Sequence, residues 1–226
     1  MKKDGSTICS VSTPQGVGAI AIVRVSGNDA FVIAEQLFKS EFPFRQLEPN
    51  VSKFAEIYEG DDLIDQVMVV KFAAPHSYTG EDMVEISCHG SFFIQKKILE
   101  LFVKFGAHFA APGEFTMRAF LNGKMDLPQA EAVADLIDSQ TEAAHKLAIN
   151  QLRGNFSSKI AELREQFVEL ASLLELELDF SEEDVQFADR EQLKLIISKL
   201  KEEVNNLIKS FKLGNVIKTG IPVAIV

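Results

Sequence analysis

The spacing of hydrophobic positions changes along the chain, and the change divides it. In the first part, "STICSVS" (Ser6 to Ser12) and "VGAIAIVRVSG" (Val17 to Gly27) are short β-branched runs and predict strands. "NDAFVIAEQLF" predicts a helix capped by Asn28 or Asp29. "KFAEIYEGDDLIDQVMVVKFAAP" reads as two strands joined at Gly60-Asp61-Asp62, a hairpin signal. "DMVEISCHG" is a further strand, running into "SFFIQKKILELFVKFG", a helix that ends with Gly106 in the position just past its last turn. Strand alternating with helix predicts a two-layer sandwich.

Near residue 125 the pattern becomes leucine-rich and helical. Asp126 followed by Pro128 and Gln129 predicts a capping box, with Ala130, Val133, Ala134 and Ile137 on one face. Ser139 with Glu142 repeats the cap signal and starts a second helix after a bend. Its apolar positions Ile149, Leu152, Phe156, Ile160, Leu163, Phe167, Leu170, Leu174 and Leu178 form one long stripe. "DFSEEDVQF" interrupts it. Asp189 with Gln192 then starts a helix carrying Leu193, Ile196, Ile197, Leu200, Val204, Leu207, Ile208 and Phe211. The expected fold class is therefore α+β: a mixed α/β domain with a sheet and helices in two layers, then an incomplete all-α bundle. The final "IPVAIV" reads as a buried strand that needs a sheet to pair with.

Composition narrows the function classes. Of 226 residues, 46% are hydrophobic and 25% charged, the balance of a globular protein, and no apolar run approaches the about 18 residues of a membrane helix. "MKKDGSTICSVSTP" has no apolar segment behind its lysines, so a cytoplasmic location is expected. Cys9 and Cys88 lie far apart without metal-ligand spacing and read as reduced core thiols. A net charge of −10 argues against direct nucleic-acid binding by this chain, because phosphate contacts need clustered lysine and arginine.

Few residues carry candidate chemistry. "GVGAIA" fits a dinucleotide fingerprint in letters, but a strand rather than a helix follows it, so it is read as a coincidence. Arg24 interrupts an apolar strand and either reaches solvent on the open face or meets an anion. Strict alternation puts Val84 and Ile86 on one side of their strand and Glu85 on the other, where a carboxylate suits a flat ligand with paired N–H donors; an ordinary exposed glutamate fits the same pattern. Cys88-His89 has no third group to make a nucleophile and reads as packing. Glu114 and Arg118 stand four apart. Lys124 precedes a predicted helix N-terminus, where its charge is unfavourable unless an anion binds between them.

The stretches "TICSVSTPQGVGAIAIVRVSG", "SYTGEDMVEISCHGS", "APGEFTMRAFLNGKMDLPQAEAVADLIDSQTEAA" and "GIPVAIV", in this order, resemble the N-terminal part of the MnmE (TrmE) family of tRNA modification GTPases. The resemblance implies a folate-binding and dimerisation domain over residues 1–122, the first part of a helical domain over 123–214, and over 215–226 a linker and the first strand of a Ras-like GTPase domain. It places folate contacts on Arg24, Glu85 and Lys124. Glu85 suits the pterin's amino and ring N–H groups, while Arg24 and Lys124 suit the pterin carbonyl, a formyl oxygen or the glutamate carboxylates. The implied cofactor is 5-formyltetrahydrofolate or a related one-carbon tetrahydrofolate; GTP, potassium and magnesium belong to sites outside this chain. The implied partners are a second copy, the flavoprotein MnmG, and tRNA as substrate of the complex, whose wobble uridine is modified at C5. No catalytic residue and no metal ligand is expected in these 226 residues, so no GTP hydrolysis by them alone. The rival expectation is an assembly module that binds no small molecule.

Overall fold

The computed structural model describes residues 5–40, 43–179 and 190–219. It divides into two compact units, Met1–Met125 and Asp126–Val226. Among the described residues the first unit holds strands β1 (Ile8–Val11), β2 (Gly18–Ser26), β3 (Phe38–Lys39), β4 (Ser52–Glu59), β5 (Asp62–Phe72), β6 (Met83–Gly90) and β7 (His108–Phe109). Its helices are α1 (Ala30–Leu37), α2 (Phe92–Lys104) and α3 (Glu114–Leu121). The strands form one sheet in the order β3-β4-β5-β6-β2-β1-β7, antiparallel except for the β1–β7 pair.

Alternation decides which face of the sheet is buried. Val23, Val25, Val67, Val69, Val84 and Ile86 point to one side, where Ile33 and Leu37 of α1 and Ile98, Leu101 and Phe102 of α2 complete a single apolar core. The residues between them point to the other face. The hairpin turn is Gly60-Asp61, with Asp62 already paired to Glu59, and Gly60 supplies the left-handed φ of 63°. Gly106 follows α2 at φ 104°, as the sequence predicts. Asp29 occupies the N-cap of α1 but its side chain makes no capping bond. Its N–H instead donates to Thr7 Oγ1 at 2.9 Å, which ties the helix start to the edge of β1. The chain can pass so near only because position 27 is glycine: a Cβ there would stand 2.6 Å from Thr7 Cα.

The second unit is helical: α4 (Leu127–Asp138), α5 (Glu142–Leu152), α6 (Asn155–Asp179) and α7 (Arg190–Thr219). The Asp126–Gln129 capping box forms in both directions, at 2.8 and 2.9 Å. Two sequence expectations need correction here. The cap of α5 is Thr141, whose Oγ1 accepts from the Ala144 N–H at 3.1 Å. Ser139 is already engaged at the end of α4, its hydroxyl donating to Leu136 O. The long stripe from Ile149 onward is two helices, because Gly154 adopts φ 79° and separates α5 from α6. A reciprocal amide clamp holds α4 to α5: Gln129 Nε2 donates to Leu152 O and Gln151 Nε2 to Pro128 O, both at 2.9 Å.

The buried face of α4 also differs from the expected one. Ala132 is enclosed, whereas Ile137 is 78% exposed. Along α6 and α7, Leu163, Leu193 and Leu200 are buried, while Phe156 and Phe167 remain about half exposed. Helix α7 continues to Thr219, past residue 214 where the sequence reading begins a linker. The predicted cap Asp189 and the predicted strand at 221–226 lie outside the described residues.

Candidate functional site

Strand register brings together two of the candidate residues. Arg24 in β2 pairs directly with Glu85 in β6, with Ser10 and Val70 as their outer neighbours. Their strand neighbours Val23, Val25, Val84 and Ile86 are fully buried on the helix side, so both charged side chains project from the opposite face. Each is about a quarter exposed. Arg24 donates through Nε to Glu85 Oε1 at 2.8 Å, and its Nη2 lies 2.7 Å from the same oxygen in an ion pair. Among the described residues nothing else donates to Glu85, which leaves Oε2 and the outer edge of the carboxylate as acceptors.

Two rings flank the guanidinium. The Arg24 carbon Cζ lies 5.1 Å from the centre of the Tyr78 ring and 5.6 Å from that of Phe115. Tyr78 belongs to the β5–β6 loop and Phe115 to α3, and a 2.8 Å hydrogen bond between Tyr78 OH and Thr116 Oγ1 joins these elements. Neither ring stands out in the sequence. The only signals are an aromatic residue in a loop bounded by Pro75 and Gly80, and another just after the Pro112-Gly113 turn.

Lys124 packs against the β5–β6 loop but does not join the pair. Its Nζ donates to Pro75 O at 2.9 Å, and among the described residues it forms no hydrogen bond or ion pair with Arg24 or Glu85. Its aliphatic stem packs on Gly80, where φ is 77° and a Cβ would lie 3.2 Å from Lys124 Cγ. Asn122 Nδ2 adds a bond to Thr79 O at 2.8 Å. The Lys124 N–H donates to Ala119 O just beyond the end of α3. A cation is favourable at a helix C-terminus, so the position of Lys124 does not by itself call for a bound anion, contrary to the electrostatic argument from sequence.

A buried polar network fixes the loop and α3 against the sheet. Arg118 is 7% exposed. It donates to Ser6 O at 2.7 Å, to Glu114 Oε1 at 2.8 Å and to both Glu81 oxygens at 3.3 Å. Ser26 donates its single hydroxyl proton to Glu81 Oε2 at 2.8 Å, so Thr79 must be the donor in the 2.7 Å Thr79–Ser26 bond. Burial pushes the Glu114 carboxyl up, but the Ala111 N–H and the Arg118 guanidinium outweigh it and hold the group below the usual carboxylate range. Sequence spacing shows the Glu114–Arg118 pair; it does not show Glu81 or Ser6 joining it.

The cysteines and His89 have structural explanations. Cys9 and Cys88 are buried and pushed up to about 11 by desolvation, which keeps both as thiols. Cys88 points into the core and His89 to the other side of β6. His89 Nδ1 meets Asp65 Oδ1 at 2.6 Å, while its N–H donates to Asp65 Oδ2 at 2.8 Å. The carboxylate thus supplies the acceptor that the β5–β6 ladder lacks beyond its last pair, Met68–Ser87. The "GVGAIA" segment leads into β2, with no helix to receive a pyrophosphate. Among the described residues no three His, Cys, Asp or Glu side chains are grouped to hold a metal ion, and no helix is long and apolar enough to cross a membrane.

Comparison with known proteins matches residues 7–124 to the family model "GTP-binding protein TrmE N-terminus" and residues 127–222 to "MnmE helical domain". Similar curated proteins carry the name tRNA modification GTPase MnmE. That of Bacteroides fragilis is 52% identical over 223 residues, that of Flavobacterium psychrophilum 51% over 222, and that of Bacteroides thetaiotaomicron 50% over 223. In each case 97% of this chain is covered and 48% of the relative, so the chain spans about half the length of the curated relatives it matches.

Proposed function

The chain belongs to the MnmE (TrmE) family, and from that premise we propose that its first unit binds a one-carbon tetrahydrofolate through Arg24, Glu85 and Lys124. The observation that carries this reading is the direct pairing of Arg24 with Glu85 on the face of the sheet opposite the core, beside two partly exposed rings. The donor set fits the ligand. Glu85 offers carboxylate oxygens to the amino and ring N–H groups of a pterin, and charge-assisted bonds of this kind are the stronger ones. Arg24 offers N–H donors to its carbonyl or to the one-carbon oxygen, and Lys124 is a cation at the edge, suited to an oxygen or carboxylate of the same molecule. When bound, the folate supplies the methylene carbon; these residues bind and orient it.

In this proposal the chain is the folate-binding and dimerising half of a cytoplasmic homodimeric GTPase. That GTPase acts with the flavoprotein MnmG on C5 of the tRNA wobble uridine, and its nucleotide, potassium and magnesium sites lie in the other half. The relatives' shared name, tRNA modification GTPase, supports the tRNA role. Titration calorimetry with 5-formyltetrahydrofolate tests the ligand assignment: saturable heat is expected, and a folded chain that gives none refutes it.

One observation favours assembly as a second role. Phe54 and Met68 pair across β4 and β5 on the same open face and are 55% and 41% exposed. An apolar surface of this kind fits contact with another protein, and a second copy is the partner proposed. If this is the whole role, sedimentation shows a dimer while calorimetry shows no folate binding.

A further inference from the structure

We propose that Tyr78 and Phe115 determine ligand specificity at this site, forming the wall against which a heterocycle held by Glu85 lies. The inference rests on the folate reading above and extends it to residues outside the three candidates. The Arg24 hydrogen bond and ion-pair contact both fall on Glu85 Oε1, so an incoming ring with paired N–H groups approaches from the open, Oε2 side of the carboxylate. A ring bonded edge-on to a carboxylate still has two faces to cover. Among the described residues, the aromatic side chains in contact with the Arg24 guanidinium are Tyr78 and Phe115, and both are only partly buried.

The wall is held by bonds that do not involve the ligand. Tyr78 is fixed through its hydroxyl to Thr116, and Thr79 next to it bonds to Ser26 and, through its carbonyl, to Asn122. The Arg118 network locks α3 and Glu81 to the strand carrying Ser26. A wall built before binding costs little ordering entropy when a planar ligand docks on it. It suits the flat pyrimidine ring of the head group, whose paired N–H groups Glu85 holds in place, whereas the benzoyl-glutamate tail has no such anchor.

The chain has two tyrosines and no tryptophan. The variant Tyr58→Phe, labelled with 3-fluorotyrosine, therefore carries a single fluorine signal, at position 78. On titration with 5-formyltetrahydrofolate that signal is expected to shift, saturate at the calorimetric Kd and show an Overhauser effect to ligand protons. Tyr78→Leu and Phe115→Leu are each expected to weaken binding by about tenfold, the scale of one aromatic contact. Tyr78→Phe, which keeps the ring, should stay within about twofold. Calorimetric binding with an unmoved fluorine signal overturns this inference and leaves the folate site standing. No calorimetric binding overturns both. p-Aminobenzoylglutamate, which lacks the pterin, should leave the signal in place; an equal shift with it contradicts the assignment of the wall to the head group.

Discussion

Replacing Glu85 by glutamine keeps the shape of the side chain and removes its charge and one acceptor oxygen. In the unliganded chain the loss is small, because the Arg24–Glu85 pair is about a quarter exposed on both sides and such pairs contribute at most about 1 kcal/mol. At the ligand the loss is larger. Two N–H bonds to a carboxylate are each worth about 1.5–3 kcal/mol, and the amide both weakens one and places an NH2 against the other donor. Some of this is returned, since Arg24 already occupies Oε1 and its own bonds readjust on binding. A net loss of about 3 kcal/mol, or roughly a hundredfold in Kd, is the expectation. Calorimetry measures the affinity, and thermal unfolding of the same sample measures the stability. A Kd within a few-fold of the parent, with the variant fully folded, would refute the assignment of the pterin edge to Glu85. A loss of affinity that merely tracks a fall in Tm would reduce Glu85 to a structural role.

Arg118→Met should destabilise the first unit by about 3–5 kcal/mol, because it leaves the Glu81 and Glu114 carboxylates without their buried counter-charge; urea unfolding measures this, and a loss under 1 kcal/mol contradicts the network. The Glu114 carboxyl is held below its ordinary range, so its stabilising contribution is complete above the unfolded carboxylate pKa and is lost as pH falls through the folded value. Stability measured from pH 7 downward should decline in the acid range, and Glu114→Gln should flatten part of that slope; an unchanged slope is the contrary result. Asp126→Ala removes the α4 cap and should cost about 1 kcal/mol in urea unfolding, with no change in folate affinity. Gly80→Ala places a side chain at φ 77° and against the Lys124 stem, so folate affinity should fall more than secondary structure changes in circular dichroism.

What the sequence reveals depends on whether the deciding interaction is local. The five longer strands of the first unit, the turn at Gly60 and the Asp126–Gln129 box follow from alternation and short-range chemistry; the two-residue strands β3 and β7, set by their pairing with β4 and β1, are not legible in it. The start of α5 does not follow so simply. Ser139 and Thr141 both carry a hydroxyl, and only the bond from Ser139 to Leu136 O decides that the first closes α4 and the second opens α5. The break at Gly154 is similarly hidden, since a glycine within an apolar stripe is compatible with an unbroken helix until its φ is seen. At the site, Arg24 and Glu85 are conspicuous one at a time. Their contact depends on a register between strands 61 residues apart. Tyr78 and Phe115 acquire meaning only once loop and helix are folded over that pair.

The central claim is that this chain carries a folate site built on Arg24 and Glu85, and titrating the unmodified 226-residue chain with 5-formyltetrahydrofolate tests it most directly. The account predicts saturable heat with one site per chain. A chain that is folded by circular dichroism and gives no heat, and no shift of any residue around Arg24 and Glu85 in the nuclear magnetic resonance spectrum, would contradict it.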